Sequence, residues 1–201
     1  IEGADIHRRT ASEVFGVPFD EVTSEMRSAA KAVNFGIVYG ISDFGLARQL
    51  GISRKEAARY IELYFMRYPG VHTYLKGCVE RAKQQGAATT LFGRRREMPE
   101  LKSSNYNTRS FGERVAMNMP IQGTAADIIK LAMVRVHNEL KARGMKSELI
   151  LQIHDELIID AVQEEADAAT EILKSCMENV VNLKVPLLAE VHTGHSWFDT
   201  K

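Results

Sequence analysis

Residues 27 to 40, RSAAKAVNFGIVYG, set Arg27, Lys31, Phe35 and Tyr39 at four-residue steps and end on Gly40. On an α-helix each such step turns about 400°, so the four side chains form one slowly slanting stripe roughly 18 Å long. Thr23 is a ready N-cap for this helix and Gly40 its stop signal. The stripe admits two readings. Aromatic residues at helical spacing commonly face a core, which would make Phe35 and Tyr39 packing residues. Alternatively the stripe fits a nucleotide: a guanidinium fork and a compact ammonium hold phosphates, and two flat rings meet a sugar and a base.

A second constraint lies at residues 149 to 160, LILQIHDELIID. Two β-rich apolar runs, 149–153 and 157–159, flank His154, Asp155 and Glu156, which predicts an antiparallel hairpin with the charged trio at its tight turn. Carboxylates in such a turn suit Mg²⁺, a hard cation that takes one or two carboxylates together with substrate phosphates. The plainer reading is a polar hairpin turn.

Charge is distributed unevenly along a chain whose formal net charge is zero. Residues 1–150 hold 23 Lys and Arg against 16 Asp and Glu, and residues 151–201 hold 3 against 10. The basic part is expected to face phosphates, most densely through Arg94, Arg95, Arg96, Lys102, Arg109 and Arg114. The acidic Glu164, Glu165, Asp167 and Glu171 read as the outer face of an amphipathic helix. No run of about 18 apolar residues and no basic-then-apolar leader is present, which points to a cytoplasmic protein that is neither exported nor membrane-bound. Cys78 and Cys176 lie far apart without a CxxC spacing, and His192 and His195 lack companions for a zinc site.

The predicted elements are mostly helical at first. A short helix runs over 5–14, a long one from Thr23 to Tyr39, and another from a Ser53/Glu56 capping box to Arg67, where Pro69-Gly70 breaks it. A further helix covers about 71–85, and a small hairpin turns around Gly93. A helix from about 107 is expected to be interrupted at Pro120 and to resume as far as Gly144. After the 149–160 hairpin come a helix over about 164–182 and a last strand, 187–192, pairing back onto that hairpin. Arg114, Asn118 and Gln122 again step by four, and their amides and guanidinium can either be solvated or read acceptors on the minor-groove edge of a duplex. The fold class is α+β, mainly helical, with a small antiparallel sheet.

In order and content these segments resemble family A DNA polymerases, the bacterial DNA polymerase I type. Arg27, Lys31, Tyr39 and Gly40 match the motif B pattern, and His154, Asp155 and Glu156 match motif C; residues 113–130, ERVAMNMPIQGTAADIIK, resemble the segment preceding motif C. The resemblance implies fingers over 1–105 and the C-terminal part of a palm over 106–201. It further implies addition of dNTPs to a primer 3′ end on primer-template DNA, with two Mg²⁺ ions held between two aspartates. Asp155 matches one of these aspartates, and Glu156 a carboxylate of secondary role. His7, Arg27 and Lys31 match residues at the triphosphate, with Lys31 also the candidate proton donor to pyrophosphate. Phe35 matches the ring packed on the incoming sugar and Tyr39 the ring near the template base. Arg114, Asn118, Gln122 and His154 match residues at or near the DNA.

Nothing like the family's motif A, DYSQIELR, occurs in the sequence. The expectation is therefore a piece that works with the upstream part of the same polymerase, which carries motif A and the thumb, and that is inactive alone. Two other classes stay open. One is a dNTP- or DNA-binding module without catalysis; the other is an unrelated metal phosphohydrolase built on His154, Asp155 and Glu156, which would need a further ligand cluster that the spacing does not supply.

Overall fold

Thr23 and Ser53 each end an extended segment and accept a backbone N–H from the first turn of the helix that follows, which fixes where two of the helices start. A computed structural model describes residues 5–200. In chain order the elements are α1 (Ile6–Phe15), α2 (Ser24–Val38), α3 (Asp43–Leu50), α4 (Arg54–Arg67), α5 (Pro69–Gln85), β1 (Ala87–Thr89), β2 (Arg95–Glu97), α6 (Tyr106–Ala142), β3 (Glu148–Ile153), β4 (Glu156–Asp160) and α7 (Ala166–Glu178). The fold is α+β and mainly helical, with two small antiparallel sheets, β1–β2 and β3–β4. The described residues divide after residue 121 into two compact units, and α6 runs from one into the other.

In the first unit α1 lies on α2 through Ala11 and Ala30, both without exposed surface. The opposite part of the core gathers Val33 and Ile37 of α2, Leu46 of α3, Ala57 and Tyr64 of α4 and Leu75 of α5. The Ser53/Glu56 capping box is complete, each side chain bonding the other's backbone N–H. The helix breaks before Pro69 as expected, ending at Arg67, and Pro69 itself opens α5 at its first position, where the missing N–H costs nothing. Helix α3 is an element that the sequence pattern does not predict. It has eight residues between the Ser42 cap and a left-handed Gly51, so its apolar period is too short to stand out.

In the second unit, Ile129, Ala132, Val136 and Leu140 of α6 pack with Leu157 of β4, Ile172 of α7 and Val180. The β3–β4 hairpin pairs Ile153 with Glu156 across a two-residue turn, and its register slips by one residue between Leu149 and Leu151. The extra residue, Ile150, is a bulge, which increases local twist and bends the strand.

Three expectations are corrected. Pro120 does not break its helix: α6 continues from Tyr106 to Ala142. An interior proline costs about 3 kcal/mol, and packing on both sides of it, at Ala116 and at Ile129 to Leu140, outweighs that cost. Residues 187–192 form no strand; Leu187, Ala189 and Val191 alternate with exposed neighbours, but the Ala189 N–H goes to Glu178 Oε1 at 3.1 Å rather than to the hairpin. Glu165 is no part of a solvated helix face. It precedes α7 and accepts from the Lys146 and Ser147 N–H groups and the Ser147 hydroxyl.

Candidate nucleotide and metal site

The core face of α2 decides which way its stripe looks. Val33 and Ile37 are buried, and Phe35 and Tyr39, two residues further on, stand about 200° around the helix from them. Both rings are consequently exposed, Phe35 by 50% and Tyr39 by 45%, together with Arg27 and Lys31. The packing reading of the two aromatics is thereby removed. Both rings thus lie on the outward side of α2, on the same side as Arg27 and Lys31.

Three neighbours join the stripe. Asp5, the N-cap of α1, accepts from the His7 and Arg8 N–H groups with Oδ1 and from Arg27 Nε with Oδ2. The Arg27 guanidinium and these amides hold the Asp5 carboxyl below the usual carboxylate range. His7, on the first turn of α1, brings its ring to 5.7 Å from that of Phe35, and its Nδ1 is 3.0 Å from Asn34 Nδ2. Lys31 differs: among the described residues no acceptor engages its ammonium, which stays available for a ligand.

Gly40 ends the stripe in the left-handed region, φ +69°. A Cβ there would also lie 2.9 Å from Arg114 Cγ and 2.6 Å from Met117 Cε, so only glycine lets α6 approach this closely. The stem of Arg114 is thus set beside the aromatic end of α2, while its Nη1 bonds Ser110 Oγ at 3.1 Å. Asn118 is half-buried further along α6, and Gln122, exposed, falls in the second unit. Of the basic stretch, Arg95 pairs with Glu97 at 2.8 Å, and Arg109 lies over the Tyr106 ring while bonding the Ser103 carbonyl. Part of its charge is therefore spent locally.

The β3–β4 turn is made by backbone rather than by partners. His154 has φ +52°, a non-glycine residue in the left-handed region, and its carbonyl accepts from Gln152 Nε2 at 2.6 Å. Positive φ at only the first of the two turn residues is the sign pattern of a type II′ turn, where glycine is usual, so the backbone at His154 is strained. Asp155 and Glu156 are exposed, and among the described residues neither carboxylate has a hydrogen bond or ion pair. Two exposed carboxylates at a hairpin turn fit part of a Mg²⁺ shell. They do not complete one: among the described residues no three His, Cys, Asp or Glu side chains stand close enough to hold a metal ion.

Residues 1–199 match the profile of DNA polymerase family A. The chain belongs to that family. It is 58% identical over 197 residues to DNA polymerase I of Caldicellulosiruptor bescii and 54% identical over 197 residues to DNA polymerase I of Bacillus caldotenax; each alignment covers 98% of this chain, but 23% and 22% of the relatives. The chain thus spans under a quarter of these relatives' length. A solved structure of the POL domain of Pol1 from M. smegmatis, in complex with DNA primer-template and dNTP, superimposes with a TM-score of 0.94 at 45% identity, over 98% of this chain and 35% of that one.

The sequence spacing placed the α2 stripe and the turn carboxylates, and the family resemblance alone singled out His7; neither pointed to Asp5 and Asn34, which bond Arg27 and His7. Their partners are 22 and 27 residues away, and no local spacing signals such pairs. No described helix is long and apolar enough to cross a membrane.

Proposed function

We propose that this chain is the nucleotide-binding and partial metal-binding portion of a DNA-directed DNA polymerase that adds dNTPs to a primer 3′ end. The observation that carries the reading is the exposed stripe of α2, with a Lys31 that has no acceptor among the described residues, two water-facing rings and His7 alongside. In this proposal His7, Arg27 and Lys31 hold the triphosphate and Lys31 gives a proton to the departing pyrophosphate. Phe35 packs on the incoming sugar and Tyr39 lies near the template base. Arg114, Asn118, Gln122 and His154 contact primer and template. The fingers occupy 1–105 and part of the palm 106–201.

Asp155, with Glu156 beside it, is the residue that would ligate Mg²⁺. When bound, the metal pair supplies charge stabilisation for in-line phosphoryl transfer. Because two carboxylates do not make a two-metal site, the 201-residue chain alone is expected to bind dNTP and DNA without extending a primer, and the rest of the site comes from the upstream part of the polymerase. This is the sense in which a non-catalytic binding module describes the isolated chain. The work proposed for the whole enzyme is replication and repair of DNA in the cytoplasm.

Primer extension by a polymerase containing this chain tests the proposal. Lys31→Ala should raise the dNTP concentration needed by one to two orders of magnitude, with DNA affinity, spread over many phosphates, nearly unchanged. Unchanged dNTP dependence would remove the stripe from the active site. Release of nucleotides from DNA without dNTP would favour the hydrolase class instead.

A further inference from the structure

Which ring nitrogen of His7 carries the proton determines what His7 can offer a ligand, and the atoms around Asn34 decide it. Thr10 Oγ1 lies 2.8 Å from the Ile6 carbonyl. A carbonyl only accepts, so the threonine proton is spent there, and Thr10, 1% exposed, has no water to turn to. Toward Asn34, at 3.1 Å, Thr10 Oγ1 can only accept, which assigns the facing amide atom as the NH₂ group. The same Nδ2 is 3.0 Å from His7 Nδ1. An amide NH₂ donates and never accepts, so Nδ1 must carry a lone pair and the proton of the neutral ring sits on Nε2.

We propose that Asn34 is a positioning residue that holds His7 as its Nε2–H tautomer, so that His7 presents a neutral N–H donor to a phosphate oxygen of the nucleotide. The chain of donation runs from Asn34 to both His7 and Thr10, and from Thr10 to the Ile6 carbonyl. It starts one residue before Phe35 and is anchored in the buried face of α1. The phosphate end then combines a guanidinium, an ammonium and one uncharged donor. His7 Nε2 cannot serve as a proton acceptor toward the nucleotide in this tautomer. The functional half of the proposal rests on the nucleotide reading of the stripe; the tautomer does not.

Long-range proton–nitrogen correlation spectra of the ¹⁵N-labelled chain, without nucleotide and above about pH 8 where imidazoles are neutral, read the tautomer directly. His7 is assigned by the signal lost in His7→Gln. The expected result is an unprotonated Nδ1 and a protonated Nε2. Asn34→Asp puts an acceptor where the donor was, at nearly the same volume, and should move the proton to Nδ1 and weaken tripolyphosphate binding about tenfold. A protonated Nδ1 in the unsubstituted chain overturns the proposal without recourse to any variant. So does a folded Asn34→Asp protein with an unchanged His7 spectrum. An Nε2–H ring in a chain that fails to bind tripolyphosphate supports the tautomer assignment and removes the nucleotide reading.

Discussion

Around α2 the side chains of Arg27 and His7 are held by partners while Lys31 is not, whereas at the β3–β4 turn both carboxylates are bare among the described residues. Asp5 fixes Arg27, Asn34 fixes His7, and the Phe35 ring lies against the His7 ring. Asp155 and Glu156 have no side-chain partner among the described residues; their position is set by a left-handed His154, a hydrogen bond to its carbonyl and the pairing of Ile153 with Glu156. The difference matches what the proposed function asks of each part. A flexible triphosphate needs donors whose directions are already fixed. A divalent cation needs carboxylates whose charge is not already neutralised, and a partner would compete with it.

The comparison is easiest to break at the turn. In a polymerase containing this chain, Asp155→Asn should lower turnover by about three orders of magnitude, since it deletes a metal ligand worth several kcal/mol in the transition state. DNA affinity measured by filter binding should be retained, and parallel loss of both would mark Asp155 as structural.

Next in size is sugar selection on α2. If Phe35 packs on the incoming sugar as proposed, a phenol hydroxyl in its place would stand in for the 3′-hydroxyl that a dideoxynucleotide lacks. Phe35→Tyr should therefore shift the dNTP-to-ddNTP preference by about tenfold or more, on the scale of one hydrogen bond to a charged or strongly polar group. Equal competition ratios for the two proteins would take Phe35 out of the sugar pocket.

The smallest effect sharpens the contrast between partnered and bare carboxylates. The Ser147 hydroxyl first, then the Lys146 and Ser147 N–H groups, hold the Glu165 carboxyl below its ordinary value of 4.5. A depressed folded-state value means that the stabilisation is complete above the unfolded value and is lost as pH falls through the folded one. The urea midpoint should accordingly drop between about pH 5 and about pH 3, and Glu165→Gln should flatten that drop while lowering the midpoint near neutrality. An acid limb identical in both proteins would show that this clamp does not contribute.

What the sequence made legible was local. Caps at Thr23 and Ser53, the left-handed Gly40, the turn at Gly93 and the trio at the β3–β4 turn each depend on residues within four or five positions. What stayed hidden depended on distant packing. The spacing of Phe35 and Tyr39 fits a core more readily than a ligand, and only the burial of Val33 and Ile37 with residues of α3 to α5 shows that the two rings lie outside that core. Pro120 obeys its local rule poorly because α6 is anchored on both sides of it, and 187–192 alternates like a strand without finding a ladder. Asn34 looked like any polar residue on a helix until α1 brought His7 and Thr10 to it.

The central claim is that the phosphates of a nucleotide are bound by α2 and its neighbours, while the β3–β4 turn contributes to metal and not to nucleotide affinity. Titration of the 201-residue chain with a dNTP in the absence of divalent metal, compared among the unsubstituted protein, Lys31→Ala and Asp155→Asn, tests it most directly. The account predicts binding weakened at least tenfold by Lys31→Ala, the scale of a charged hydrogen bond, and unchanged by Asp155→Asn. Binding that Lys31→Ala leaves intact, or that Asp155→Asn abolishes, would contradict it.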